Sequence, residues 1–150
     1  MGASGKIIAN DINQNFLSYL SERCRRNGFT NVETSLGTVD APRFGADSLD
    51  MAIMVWVFHV LEKPIDLLRN LRPSLKPGAT LVILDPPDQE INEEFKIDRT
   101  KSGVMIPTIR ERIENAASES GFQLVRVETF LPKDGIYILK AKEKTGYTGY

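Results

Sequence analysis

Four residues with side chains suited to chemistry stand at the ends of apolar runs. Asp11 follows residues 6–10, Trp56 and His59 lie at the end of the long run that begins at Leu49, and Asp85 follows residues 79–84. A carboxylate in such a place can accept hydrogen bonds from both ribose hydroxyls of a nucleoside. The single histidine could deprotonate a substrate, because imidazole titrates near neutral pH. Asp11 alone does not choose the cofactor, because dinucleotide-binding folds use the same geometry.

The apolar runs alternate with helical patterns as far as residue 85, which indicates parallel strands joined by crossover helices. The predicted strands are residues 6–11, 32–36, 49–58, 79–84, 122–130 and 135–142. The predicted helices run from the N-cap Asn13 to Gly28, from Pro64 to Pro73, and over residues 108–120. The short link between the last two strands predicts an antiparallel hairpin. The fold class is therefore α/β, a doubly wound, mostly parallel sheet with a C-terminal antiparallel hairpin.

Ligands of doubly wound sheets bind beyond the carboxyl ends of the strands, which adds Gly37 and Thr38 to the residues of interest. Each candidate also has a simpler interpretation. Asp11 could share a helix cap with Asn13, and His59 could hydrogen-bond the backbone at the strand's end and orient the site wall. Trp56 could face the core, because the continuous apolar run 49–58 is typical of a strand covered on both faces.

Composition limits the class of protein. The 150 residues suffice for one domain, which we place at residues 1–143 with a frayed tail over residues 144–150. The net charge of −1 gives no electrostatic footprint for nucleic acid or for an anionic membrane. One cysteine, Cys24, and no signal-peptide pattern fit a reducing, cytoplasmic setting. Residues 86–105 are polar and are predicted to form a long loop.

Four blocks of this sequence resemble conserved blocks of class I S-adenosylmethionine-dependent methyltransferases, and together they span nearly the whole chain. They are Ile8-Ala9-Asn10-Asp11-Ile12 with Phe16-Leu17; Leu49-Asp50 with Phe58-His59 and Pro64; Leu71-Arg72-Pro73-Ser74-Leu75-Lys76-Pro77-Gly78-Ala79; and Gly121-Phe122 with Phe130-Leu131-Pro132. The last block resembles the small-molecule branch of the family, which includes quinone-biosynthesis and arsenite-type enzymes.

The resemblance implies a Rossmann-like fold, S-adenosylmethionine as the cofactor, a small-molecule methyl acceptor and no metal. It implies cofactor contacts from Asp11, Ile12, Gly37, Thr38 and Trp56, with His59 as the candidate catalytic residue. The family usually places an acidic residue where Gly37 and Thr38 stand. Thr38 is not acidic; the nearby Asp40 is either a replacement or a turn residue.

The sequence departs from the family at its beginning. Relatives open with a strand, a glycine-rich loop and a helix, whereas residues 1–5 here correspond to the linker before the second strand. The first strand would lie at the centre of the sheet, between residues 6–11 and 49–58. Its absence predicts two unpaired apolar edges, and hence re-pairing within the chain, a homo-oligomer, or recruitment of the strand from another polypeptide. Two functions remain open: a methyltransferase completed from elsewhere, or an inactive remnant of the fold that acts as a binding module.

Overall fold

The computed structural model describes residues 4–86 and 107–142. The predicted loop 86–105, apart from Pro86, and the predicted tail 144–150 lie outside these described residues. The strands are β1 (Ile7–Asp11), β2 (Val32–Leu36), β3 (Leu49–Val55), β4 (Leu75–Asp85), β5 (Phe122–Glu128) and β6 (Gly135–Ala141). The helices are α1 (Gln14–Arg26), α2 (Pro64–Leu71) and α3 (Ile109–Ser120), with short 3-10 turns at Phe58–Val60 and Arg72–Ser74.

The strands form a mostly parallel arrangement that is divided into two sheets. β1 and β2 pair in parallel, and a second sheet has the order β3-β4-β6-β5. β3 and β4 are parallel, whereas β6 runs antiparallel to both β4 and β5. The α/β class and the C-terminal antiparallel hairpin are therefore confirmed. Within residues 4–86 and 107–142, no strand pairs with the second edge of β1 or of β3.

The main core lies on one face of the four-stranded sheet. Apolar residues of α2 and α3 pack there against β4 and β6; the largest wholly buried side chains are those of Phe58, Leu68, Leu81, Ile83, Ile113, Phe122 and Leu139. The opposite face of β3 is open: Met51, Ile53 and Val55 are 53%, 61% and 55% exposed. The prediction that this strand is covered on both faces is therefore wrong for the described part of the chain.

Backbone conformation explains why the apolar run from Leu49 does not form one long strand. β3 ends at Val55, because Trp56 adopts a left-handed conformation with φ of 54° that breaks the extended backbone. The next residues form the 3-10 turn Phe58–Val60, which places the Phe58 side chain in the core. β4 begins at Leu75, earlier than predicted, because Leu75 pairs with Leu49 ahead of a register shift.

The helix ends agree with their sequence signals. The side chain of Asn13 caps α1 by accepting a hydrogen bond from the Asn15 amide at 2.9 Å, and Gly28 follows the helix with φ of 72°. Thr108 and Glu111 form a capping box at the start of α3. These caps determine where α1 and α3 begin. The N-terminus of α1 therefore lies directly after the carboxyl end of β1.

Candidate functional site

Asp11 occupies the carboxyl end of β1, as the sequence predicts. Its Oδ1 accepts a hydrogen bond from the Asn13 amide at 2.8 Å, which tightens the turn into α1. Among the described residues, no hydrogen bond reaches its second carboxylate oxygen. Asp11 therefore stabilises the turn with one oxygen and can accept further hydrogen bonds with the other. Ile12, the next residue, is exposed. The structure thus places a half-buried carboxylate and an exposed aliphatic side chain next to each other at the strand's end.

Gly37 and Thr38 form a tight turn beside Asp11. The Gly37 amide donates to the Asp11 carbonyl at 3.0 Å, and the Thr38 amide donates to the Ala41 carbonyl at 2.8 Å. A Cβ at Gly37 would lie 3.0 Å from both the Ala41 carbonyl oxygen and the Asn10 side chain. Close approach therefore favours glycine at this position independently of any ligand.

The side chains of Thr38 and Asp40 are bound to each other. The Thr38 hydroxyl donates to Asp40 Oδ1 at 2.8 Å, and this hydrogen bond lowers the pKa of the Asp40 carboxyl below its ordinary value. Asp40 therefore stays ionised to lower pH than an ordinary aspartate, and it places a negative charge on the turn after β2. This turn carries the acidic group that Thr38 itself lacks.

Trp56 lies at the carboxyl end of β3 in a conformation that is costly for a bulky residue. Its amide donates to the Leu84 carbonyl at 2.8 Å, and its indole Nε1 donates to Asp134 Oδ1 at 2.7 Å. The side chain is 48% exposed, so the interpretation of Trp56 as a core residue is wrong. The indole instead links the end of β3 to the turn between β5 and β6.

His59 and Asp85 form a buried pair at the ends of β3 and β4. His59 Nδ1 is hydrogen-bonded to Asp85 Oδ1, and the two side chains are 5% and 0% exposed. Asp85 Oδ2 is buried and has no hydrogen-bond partner among the residues that the structure describes. Burial raises the pKa of the Asp85 carboxyl above its ordinary value, and the contact with His59 partly opposes that rise.

The surroundings of His59 fix its backbone as well. Arg112 on α3 donates from both terminal guanidinium nitrogens to the His59 carbonyl at 3.3 Å. The imidazole is therefore buried in the packed protein beside the candidate site and does not face solvent. This geometry agrees with a role in orienting the wall, and it gives any proton transfer by His59 a carboxylate partner in Asp85.

The structure brings the candidates together in two clusters. Asp11, Gly37 and Thr38 lie on the two-stranded sheet, whereas Trp56 and His59 lie on the four-stranded sheet; among the described residues no hydrogen bond joins the clusters. Sequence reasoning missed Asp134 and Arg112. The position of Asp134 is predictable from the sequence. Because β6 runs antiparallel to β4, the turn before β6 lies at the carboxyl end of β4, where Gly135 pairs with Asp85.

Residues 4–86 and 107–142 contain neither a metal-ligand cluster nor a membrane-spanning helix. Within these ranges, no three histidine, cysteine or acidic side chains are grouped so that they could hold a metal ion. No helix in the same ranges is long and apolar enough to cross a membrane. The polar residues at the carboxyl edges of the sheets remain the candidate site.

The fold and the polar residues at its carboxyl edges define an α/β domain with a candidate ligand site, and comparison with known proteins makes the class specific. The profile of the family described as "Methyltransferase domain" matches residues 1–83, which include β1, β2, β3 and most of β4. The chain belongs to this methyltransferase domain family. The resemblance seen in the sequence is therefore confirmed at the level of the family.

Individual relatives agree with this assignment. A demethylmenaquinone methyltransferase of Bacillus velezensis is 26% identical over 90 residues, which cover 60% of this chain and 39% of that protein. A SAM-dependent methyltransferase from Aquifex aeolicus has a similar structure, with a TM-score of 0.71, 24% identity, and coverage of 92% of this chain and 70% of that one. The structure of the methyltransferase CalH in complex with SAH is also similar, with a TM-score of 0.63 and 20% identity. This similarity covers 91% of the present chain and 42% of the CalH chain. The chain thus spans 39% of the length of its curated relative.

Proposed function

We propose that this chain forms part of an S-adenosylmethionine-dependent methyltransferase that acts on a small molecule. The observation that carries the proposal is Asp11, a carboxylate at the carboxyl end of β1 that retains acceptor capacity after capping its turn. Membership of the methyltransferase domain family supports the same reaction class. The name of the curated relative favours an acceptor of the quinone-precursor type within the small-molecule branch.

The residues present fit one half of a nucleoside cofactor. Asp11 would accept hydrogen bonds from the ribose hydroxyls, and the exposed Ile12 would contact an apolar face of the nucleoside. The turn at Gly37 and Thr38 and the half-exposed indole of Trp56 would line the base. When bound, S-adenosylmethionine supplies an electrophilic methyl group. The residues of this chain would bind and align the reactants and exclude water.

His59 has a defined part in this proposal. Its contact with the buried Asp85 holds the imidazole and the turn Phe58–Val60 at the carboxyl edge of the sheet. In that position His59 would orient the wall of the acceptor site, and the carboxylate would stabilise the imidazolium if a proton is taken from the acceptor.

A second function has its own support: an inactive member of the fold that acts as a binding module. The Thr38 hydroxyl, at the position where the family usually places an acidic residue, already donates a hydrogen bond to Asp40. In this second function the chain keeps the fold but does not catalyse methyl transfer. Cofactor binding separates this function from the first.

Calorimetric titration with S-adenosylhomocysteine tests the proposal. We expect micromolar binding to the wild-type chain and loss of that binding in Asp11→Ala. Asp11→Asn is a matched variant, because its side-chain oxygen can still accept the Asn13 amide while the negative charge is removed. Asp50→Ala is the control, since Asp50 is exposed and pairs with Lys76 at 2.8 Å, away from the carboxyl ends of the strands. Absence of binding by the folded wild-type chain would contradict the first function and favour the second.

A further inference from the structure

Trp56 stands outside the core because its backbone leaves the regular pleat of β3. Side chains of a strand alternate between its two faces, and Ala52 and Met54 of β3 pack against the core of the four-stranded sheet. Continued alternation would place Trp56 on that same face. The left-handed backbone, with φ of 54°, ends the alternation and leaves the side chain half exposed. The wholly buried Phe58 is instead the aromatic residue that this segment contributes to the core.

The backbone conformation of Trp56 is unfavourable for a large side chain. Non-glycine residues with positive φ carry strain, and they are concentrated at ligand sites, where surrounding contacts hold them in place. Two hydrogen bonds hold Trp56: its amide donates to the Leu84 carbonyl at 2.8 Å, and its indole Nε1 donates to Asp134 Oδ1 at 2.7 Å. These contacts fix the orientation of the indole and leave part of its ring accessible.

The two segments that meet at the indole carry exposed apolar side chains. Val57 and Val60 follow Trp56 in the chain, and Phe130 lies in the connection between β5 and β6 that also contains Asp134. The Asp134 carboxylate is engaged by the indole, so the aromatic ring and its aliphatic neighbours dominate this end of the sheet. A flat aromatic ligand suits such a surface, because aromatic rings stack with an offset and because a fixed indole loses little freedom on binding.

The position of Trp56 in the fold is on the acceptor side of the proposed site. It precedes the turn Phe58–Val60, whose His59 would orient the wall of the acceptor site, and its amide is bonded to Leu84 at the end of β4. Asp11 lies on the other sheet. A residue at the border of two ligands can contact the cofactor, as the family resemblance implies, and still offer the exposed part of its ring to the acceptor.

We propose that Trp56 is a specificity-determining residue that stacks on a planar aromatic ring of the methyl acceptor, and that Asp134 is the positioning residue that holds the indole for this contact. The inference rests on the proposed function and narrows its small-molecule acceptor to one that contains a flat ring. A saturated acceptor of the same size cannot stack on the indole, so it gains only the aliphatic contacts of the neighbouring side chains.

Titration of the full chain with naphthol and with decahydronaphthol, with and without saturating S-adenosylhomocysteine, tests the proposal. The two probes share a carbon skeleton and the position of the hydroxyl group, but naphthol alone is planar and aromatic. Because Trp56 is the single tryptophan, the chain has one indole Nε1–H signal in a proton–nitrogen NMR spectrum. We expect naphthol to shift this signal through its ring current and the saturated probe to leave it in place. The calorimetric Kd should be at least about fivefold lower for naphthol.

Variants at the two positions separate stacking from folding, which circular dichroism checks in each sample. Trp56→Leu keeps an apolar side chain and should lose the preference for naphthol, whereas Trp56→Phe should keep part of it. Trp56→Gly should fold, because glycine adopts this φ without strain, and should lose the preference as well. Asp134→Ala should weaken naphthol binding although the indole is present. Asp134→Asn should restore it, because the amide oxygen still accepts the Nε1 hydrogen.

Three results would overturn the proposal. Equal affinity for the two probes, or a preference that folded Trp56→Leu retains, would show that the indole does not select the acceptor. An unmoved indole signal on naphthol binding would place the probe elsewhere. Displacement of naphthol by S-adenosylhomocysteine would assign the indole to the cofactor alone.

Failure of this inference and failure of the proposed function give different results. A chain that binds S-adenosylhomocysteine and shows no preference between the probes keeps the proposed function and loses the role of Trp56 in acceptor selection. A chain that prefers naphthol through Trp56 and does not bind S-adenosylhomocysteine keeps an aromatic binding site and loses the methyltransferase function.

Discussion

His59 and Asp85 join the ends of two neighbouring strands through a hydrogen bond that is almost wholly shielded from solvent. The register explains the meeting: Val55 pairs with Leu84, so the residues that follow β3 lie beside the end of β4. Because burial disfavours the charged form of Asp85, the carboxylate is costly unless the imidazole compensates it. The pair therefore contributes differently to stability at different pH values.

Asp85→Asn should change the pH dependence of stability. The folded-state pKa of Asp85 is raised above its ordinary value of 3.8, so the native chain holds this proton more tightly than the unfolded chain does. The contribution of Asp85 to stability is thus complete below that value and is lost as pH rises through the folded-state pKa. Urea unfolding at a series of pH values should show the wild type losing at most about 1.4 kcal/mol per pH unit relative to Asp85→Asn in that window.

The control for this experiment is Asp50→Asn, because the Asp50 side chain is 85% exposed and its pairing with Lys76 is solvated. Its comparison with the wild type in the same urea series shows the effect of replacing an exposed aspartate. A difference between wild type and Asp85→Asn that is constant from acid to neutral pH would contradict the assigned direction of the Asp85 pKa.

His59→Ala should destabilise the chain strongly at neutral pH. Removal of the imidazole leaves Asp85 buried, with neither oxygen bonded by a side chain of the described residues, and breaking a buried pair in this way costs about 3–5 kcal/mol. The double variant His59→Ala with Asp85→Asn should cost less than the sum of the single variants, because the uncompensated charge is gone. Denaturant unfolding of the four proteins at one pH measures the coupling; simple additivity would argue against a coupled pair.

Asp134→Ala should release the indole of Trp56. The hydrogen bond of 2.7 Å from Nε1 to Asp134 is the side-chain link between the end of β3 and the hairpin turn, and its loss should cost up to about 1 kcal/mol. Trp56 is the single tryptophan, so its fluorescence reports this position alone. We expect a red-shifted emission in Asp134→Ala and no shift in Lys133→Ala, the neighbouring control. An unchanged spectrum in both would show that the indole is held by other contacts.

Sequence patterns predicted the elements better than the contacts between them. The N-cap Asn13 and the terminal Gly28 and Gly121 are local signals, so the sequence predicts the ends of α1 and α3 closely. The end of β3 was placed too late, because a left-handed backbone at Trp56 leaves no mark in an apolar run. The sequence marks Asp85 and His59 as candidates, yet their pairing spans 26 positions and depends on which strands are adjacent.

Gly37→Ala should destabilise the turn beside Asp11 even without a ligand. The new Cβ would lie 3.0 Å from the Ala41 carbonyl oxygen and from the Asn10 side chain. Neither neighbour can move freely: the carbonyl accepts the Thr38 amide at 2.8 Å, and Asn10 donates to two carbonyls. Overpacking of this kind costs about 1–3 kcal/mol, which thermal or urea unfolding would measure.

Gly45→Ala is the matched substitution for this last prediction. A Cβ at Gly45 would meet only the Ser48 Cβ at 3.9 Å, an ordinary contact distance. Replacement of glycine where the conformation permits it lowers the entropy of the unfolded chain and stabilises by about 0.4–1 kcal/mol. The two variants should therefore change stability in opposite directions. Equal changes in the free energy of unfolding would mean that the contact with Asn10 does not require glycine at position 37. A ligand-binding role for Gly37 would then be tested by cofactor titration.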